Sequence, residues 1–379
     1  MKKTVAVFFG GRSPEHDISI ITALSSVIRP LELTKQYDVV PVYITKTGKW
    51  VSDKKLSDIS LYRTKKINDF VAKAKPLFVS FDGGLTIGKK RIDVAFPAMH
   101  GSYGEDGSLM GLLRMAGIPF VGSDMDASVI AMDKVLAKQV ASANNIPTSK
   151  FYAFSKSQFE DNPIETVKNI IMVLHYPLFV KPAHLGSSIG ITKVQNKDEL
   201  NNAIEVAAYY DDKIIVEEAV ENLIEVTVPI MGNETLVPAL VERPLAKDDE
   251  FFDFDTKYLN SGGKKSAGAK QSGAQGYSEL PAKLPEGLYD KALNVATCTY
   301  KALGMKGLAR IDLLIDSKSG EVYFNEVNPL PGSLYAHNWR AAGVSTVDLV
   351  TKLIEYAEER HASGQKLQTT FDSSFLSQF

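Results

Sequence analysis

A single cysteine, Cys298, stands among 379 residues. That scarcity excludes an internal disulfide framework and any multi-cysteine metal site, and it suits a reducing cytosol, so a cytoplasmic protein is expected. Cys298 itself reads as a small buried helix residue. Charge of one sign is lacking too: the net charge is −2, which leaves no basic footprint for nucleic acid and no polybasic patch for a membrane surface. The expected partners are therefore small molecules. No stretch approaches the roughly 20 apolar residues of a membrane helix. The apolar run behind the first two lysines ends at Gly10-Gly11; it is too short for a secretory leader and reads as a first strand. Internal repeats and coiled-coil heptads do not stand out, and the Walker phosphate signature, with its lysine after the glycines, does not occur where glycines and lysine meet.

What is present is ordinary globular material, 44% apolar and 23% charged, in a chain long enough for two or three domains. The strand Thr4 to Phe9 runs through a glycine turn into "GGRSPEHDISIITALSSVI", where apolar residues from Ile18 onward recur at helical spacing. "YDVVPVYIT" and "RIDVAFPAMHG" add short β-branched strands. The alternation predicts a parallel sheet with helices on its faces, an α/β unit over residues 1–124. "DKVLAKQVASANNIPTSKFYAF" reads as a helix ending near Asn145, stopped by Pro147 and followed by a strand. "YPLFVKPA" and "KIIVEEAV" read as strands bracketing a loop and a helix, Lys197 to Tyr209, which makes an α+β unit over 125–217. In 218–379, "EVTVPIMG", "LVPALVERP", "GLARIDLLID" and "EVYFNEVNP" predict a mostly antiparallel sheet. Between them "YLNSGGKKSAGAKQSGAQGYSELP" has almost no apolar content and reads as a mobile loop, either a linker or a lid.

Four stretches carry chemistry. In "FVKPAHLGSSIG" Lys181 ends an apolar strand and precedes Gly186, Ser187, Ser188 and Gly190. Taken alone it reads as a solvated strand end; the small-residue loop behind it, whose backbone N–H groups and hydroxyls suit an anion, makes an anion-binding flap the other reading. In "RIDLLID" and "NEVNP", Asp312, Glu326 and Asn328 are able to converge as three hard oxygen donors, a set that fits Mg²⁺ and not zinc. Mg²⁺ completes its shell with water and nucleotide phosphates, so the trio implies bound ATP. Arg310 shares a strand face with Asp312; a plain ion pair is the other reading. "EEAV", with Glu217 and Glu218, is either an exposed edge or the hinge under an adenine.

The order "MDK", "FVKPAHLGSSIG", "VEEAV", "DFDTKYL", "RIDLLID", "NEVNPLPGS", preceded by "GGRSPEHDISI" and "HGSYGEDGSLMGLL", resembles the D-alanine:D-alanine ligases of the ATP-grasp superfamily over about residues 4 to 358. The resemblance implies an ATP-grasp fold behind an N-terminal Rossmann-like, pre-ATP-grasp domain. It also explains the lysine before the glycines, because in that fold the phosphate loop lies between two strands and closes over ATP. Carried over residue by residue, Lys134, Lys181 and Lys257 would contact ATP phosphates, with Ser187 and Ser188 in the covering loop. Glu217 and Val220 would meet the adenine and Glu225 the ribose. Asp312, Glu326 and Asn328 would hold two Mg²⁺ ions, for which Mn²⁺ can substitute, with Glu326 bridging. Glu15 would take the ammonium of the first D-alanine, linked to Ser187 and Tyr258. His100 would lie near that substrate, and Arg310 with the Gly332 N–H would form the oxyanion site. Without the resemblance, Glu15 is a helix-start acid, His100 a turn residue and Tyr258 a packing residue.

The implied activity is an ADP-forming ligase that joins two D-alanines through an acyl phosphate, acting as a homodimer. Two stretches depart from the commonest family pattern, and a third carries a single change. After "KYLNSGGKKSAGAKQSG" the lid is longer in Gly, Lys and Ser than usual. "PGSLYAHNW" puts His337 or Asn338 where the second substrate's carboxylate is received, so the second substrate is D-alanine or another small D-compound such as D-serine or D-lactate. "KPAHLGSS" has His184 where asparagine is frequent. A rival of another class, a nucleotide-binding regulatory protein, would have lost a metal ligand or a phosphate lysine, and this chain keeps both.

Overall fold

The structure is a computed structural model that describes residues 2–186, 188–245 and 278–379. Ser187, Lys257, Tyr258 and the expected lid, Ser261 to Gly276, lie outside the described residues.

Three four-stranded sheets organise the described residues. In the first, Lys3–Gly10 lies between Tyr37–Ile44 and Val94–Pro97, parallel to both, and Trp50–Ser52 adds an antiparallel edge. Val5 to Gly10 are all buried, as a central parallel strand covered on both faces must be. Val5, Val7 and Phe9 join one core and Ala6 and Phe8 the other. The parallel α/β unit read from the sequence is therefore present. The first helix departs from plain α geometry: His16–Ile21 passes into a π-helical segment, Thr22–Ile28, before Arg29–Thr34. Such π segments are uncommon and gather at functional positions.

In the second sheet Leu178–Pro182 lies between Thr192–Val194 and Lys213–Glu218, and Phe151–Ser155 closes the edge, every pair antiparallel. The helix Lys197–Tyr210 packs its buried Leu200, Ala203, Ile204 and Ala207 against this sheet. Ahead of it, the helix Lys134–Ala143 is capped by Asp133, whose carboxylate accepts the Val135 and Leu136 N–H groups, satisfying two of the donors a helix start leaves unpaired.

The third sheet runs Val237–Pro238, Leu223–Gly232, Gly307–Asp316, Glu321–Asn328, all antiparallel. The strand read through "LVPALVERP" is corrected to two two-residue pieces, Val237–Pro238 and Arg243–Pro244. Each piece contains a proline, which has no N–H to give a ladder. Cys298 is also corrected. It sits on the helix Leu288–Ala302 but is exposed; Ala292, Val295, Ala296, Thr299 and Tyr300 take the buried stripe, and 298 falls off that face at 3.6 residues per turn.

Candidate active site

The cross-strand register decides which polar side chains meet. Arg310 stands opposite Asn328 and Asp312 opposite Glu326, so all four occupy one sheet face. Past that pair the register shifts, with Leu313 facing Phe324, which leaves Asn325 as an extra, bulged residue. Bulges recur beside active sites because they redirect a side chain. Here Asn325 Oδ1 lies 3.5 Å from Lys181 Nζ.

Two lysines approach this face from the second sheet and from the helix beside it. Lys134 Nζ donates to the Leu185 carbonyl at 2.5 Å and lies 3.5 Å from Glu326 Oε2. Lys181 Nζ lies 3.0 Å from Glu217 Oε2. Both lysines are buried. The Lys134 backbone N–H donates to the Ala183 carbonyl at 3.1 Å, so the helix start that carries Lys134 is tied to the strand end that carries Lys181.

Glu217 is 2% exposed and its carboxylate lies between two lysines, with Lys138 Nζ 3.5 Å from Oε1. Burial pushes this carboxyl up, but Lys138 and Lys181 more than offset it, and the group is held below the usual glutamate range. Burial in turn lowers Lys138, with Glu217 opposing. The side chain expected at the adenine is thus engaged with cations. Val220 is half-buried just beyond this strand, and Glu225 is exposed on Leu223–Gly232, opposite Leu314. Ser188 sits in the glycine-serine loop at φ +60°.

On the opposite wall, Glu15 precedes the helix His16–Ile21, and its carboxylate reaches both Gly101 and the glycine-serine loop at Gly186. A Cβ added at Gly101, which has φ +69°, would fall 2.4 Å from Ser13 Oγ and 3.1 Å from Glu15 Oε2. A Cβ at Gly186 would meet the same carboxylate at 3.8 Å. Glycine at 101 therefore answers both a left-handed backbone and a close approach. A narrow crevice lined by Pro14, Glu15, Gly101, Ser102, Leu185 and Gly186 lies between these walls.

His100 is buried beside Glu15 and Glu105. Desolvation lowers it, but Glu105 dominates and raises it above the ordinary histidine value. His100 Nε2 is 2.8 Å from Thr22 Oγ1, and that hydroxyl accepts the Ser333 N–H at 2.9 Å. The π segment thereby places Thr22 between His100 and the Gly332 turn. Ser333, Leu334 and Tyr335 all have φ between +52° and +55°, strained for residues with a Cβ and held only because the surroundings over-determine them.

Arg310 donates from Nε to Asp312 Oδ1 at 2.7 Å and from Nη2 to Oδ2 at 2.6 Å. Desolvation lowers the guanidinium, but Asp312 outweighs it and raises Arg310 well above its ordinary value. Its Cζ lies 5.3 Å from the Tyr335 ring centre, and that ring is 4.5 Å from His337. His337 Nε2 is 2.9 Å from Glu242 Oε2. Asn338, the other residue expected at the second substrate, is fully buried, and its amide bonds the Leu240 N–H and carbonyl at 3.1 and 2.9 Å and Glu242 at 3.1 Å.

The arrangement brings Lys134, Lys181, Glu326, Asp312 and Arg310 together, with Glu15 and His100 across the crevice. Lys138, Glu242, Thr22 and Tyr335 were missed from sequence. Lys138 had a signal, its i+4 spacing from Lys134 on one helix face; Glu242, in an irregular proline-flanked stretch, had none. The oxygen-only set of Asp312, Glu326 and Asn328 on one face fits a hard divalent cation.

A family profile described as "D-ala D-ala ligase N-terminus" matches residues 4–123, and one described as "D-ala D-ala ligase C-terminus" matches 140–355. The D-alanine–D-alanine ligase of Clostridium acetobutylicum is 37% identical over 95% of this chain and 99% of its own length. That of Chloroherpeton thalassium is 37% identical over 95% and 98%. Among solved structures, the VanG D-Ala:D-Ser ligase of Enterococcus faecalis superposes with TM-score 0.79 at 32% identity, covering 94% of this chain and all of its own. The D-alanine-D-alanine ligase of Coxiella burnetii gives TM-score 0.79 at 25% identity over 96% of each chain. Profiles, whole-length relatives and shared fold lead to one conclusion, that this chain belongs to the D-alanine–D-alanine ligase family.

Proposed function

We propose that the chain joins two D-alanines at the expense of ATP, releasing ADP and phosphate, to make D-alanyl-D-alanine for peptidoglycan synthesis. The observation that carries this reading is the pairing of Arg310 with Asn328 and of Asp312 with Glu326 on one face, with Lys134 against Glu326.

A carboxylate is a poor electrophile, so the first D-alanine takes the γ-phosphoryl group of ATP on a carboxylate oxygen, forming an acyl phosphate. Glu15 holds its ammonium through a charge-assisted hydrogen bond. Lys134 and Lys181 neutralise the phosphates, so that catalysis rests on positioning and electrostatics. Asp312, Glu326 and Asn328 would hold two Mg²⁺ ions, or Mn²⁺ in their place, which supply charge stabilisation to the phosphates when bound. The second D-alanine's amine then attacks the acyl carbon, and Arg310 with the Gly332 N–H receives the oxyanion. A donor so placed is worth ~3 kcal/mol. Phosphate leaves with the bonding pair. Ser187, Lys257 and Tyr258 belong to this reading as expected ligands.

The reading includes three units, 1–124, 125–217 and 218–379, a homodimer and a cytoplasmic location. No helix among the described residues is long and apolar enough to cross a membrane. Phosphate release with ATP, Mg²⁺ and a panel of D- and L-amino acids and D-hydroxy acids tests it. Release with D-alanine alone is expected; release requiring D-serine or D-lactate beside D-alanine would overturn the assignment of the second substrate, whose neighbourhood carries His337.

A further inference from the structure

Lys138 plays no part in the chemistry above, yet its side chain is completely buried. Its Nζ lies 3.5 Å from Glu217 Oε1, 3.1 Å from Ser149 Oγ and 3.4 Å from the Phe324 carbonyl. Ser149 in turn donates to Glu217 Oε2 at 3.3 Å, and the same oxygen lies 3.0 Å from Lys181 Nζ. A buried carboxylate needs one cation to offset its desolvation, and a second buried ammonium costs more than it returns unless another anion arrives. Lys134, Lys138 and Lys181 face two carboxylates, Glu217 and Glu326.

We propose that Lys138 is a positioning residue for the nucleotide phosphates: by sharing Glu217 with Lys181, it keeps Glu217 from neutralising Lys181 and leaves the cluster one positive charge in excess toward the bound triphosphate. This rests on the reading that Lys181 meets ATP phosphates. Without Lys138, the full charge of Glu217 would fall on Lys181 and draw it away from the ligand. Removing Lys138 and the Glu217 charge together restores the excess.

The test compares KM for ATP and KM for D-alanine, with direct binding of Mg–AMPPNP by calorimetry, in the full-length protein and the variants Lys181→Met, Lys138→Met and Lys138→Met/Glu217→Gln. Lys138→Met should raise the ATP KM and weaken Mg–AMPPNP by about tenfold, the scale of one charge-assisted contact, while the D-alanine KM moves less than about twofold. The double variant should regain at least half of that loss on a logarithmic scale. An unchanged ATP KM in Lys138→Met, equal losses for both substrates, or no recovery in the double variant each overturn the inference. Should Lys138→Met fail to fold, the double variant decides: an ATP KM as high as that of Lys181→Met overturns it, and one near wild type upholds it. An unchanged ATP KM in Lys181→Met instead overturns the underlying reading of Lys181.

Discussion

Arg310 and Asp312, two residues apart on one strand, face each other through two charge-assisted hydrogen bonds of 2.7 and 2.6 Å. The residue assigned to the oxyanion and a residue assigned to the metal thus form a bidentate pair, and each fixes the other's orientation. Lysine cannot reproduce this planar fork. Arg310→Lys is therefore expected to lower kcat by about a hundredfold, the usual loss of an oxyanion donor, with a much smaller effect on the ATP KM. A variant within threefold of wild-type kcat would assign Arg310 to the ion pair alone.

Glu326→Gln should abolish ADP formation and keep the fold, because in the proposed reaction one negative charge is lost where the phosphoryl group transfers, at a cost of several kcal/mol. Coupled ADP release and a melting curve check this together. Activity above about a tenth of wild type would contradict a metal-bridging role.

Glu15 separates two explanations by ligand. Its carboxylate lies against Gly101 and Gly186, and in the proposed reaction it pairs with an ammonium, not with phosphate. Glu15→Gln should weaken the first D-alanine by at least about tenfold, as expected for loss of a charge-assisted hydrogen bond, and leave ATP binding nearly unchanged. Equal losses for both substrates would indicate a helix-start role.

His184 yields a prediction in pH. Its ring lies 3.4 Å from Asp133 and 3.0 Å from Asp211, with Lys213 on Asp133 at 2.6 Å. Hydrogen bonds to Asp133 and then Asp211 raise it to about 9. A group raised in the folded state above its unfolded value of about 6.5 contributes stability in full below that value and loses it as pH rises through the folded one. The melting-temperature gap between wild type and His184→Gln should be widest near pH 6 and shrink by pH 9.5. A gap constant across this range would mean that the pairing contributes no proton-linked stability.

Much of this protein could be read from its sequence, and the reason lies in local rules. The run Thr4 to Phe9 ending at two glycines, the Pro147 stop and the two-residue period of Arg310 to Asp312 and Glu326 to Asn328 are set by backbone sterics and side-chain alternation, which act over a few residues. Oxygen donors at such spacing already implied Mg²⁺ and nucleotide. Tertiary structure decided what depends on register and burial. It placed Arg310 opposite Asn328 and Asp312 opposite Glu326, bulged Asn325 toward Lys181, and brought Thr22 to His100 and Ser333. It also turned Glu217 toward Lys138 and Lys181 and enclosed Asn338, since a buried polar group must find its partners wherever the packing brings them, at any separation along the chain.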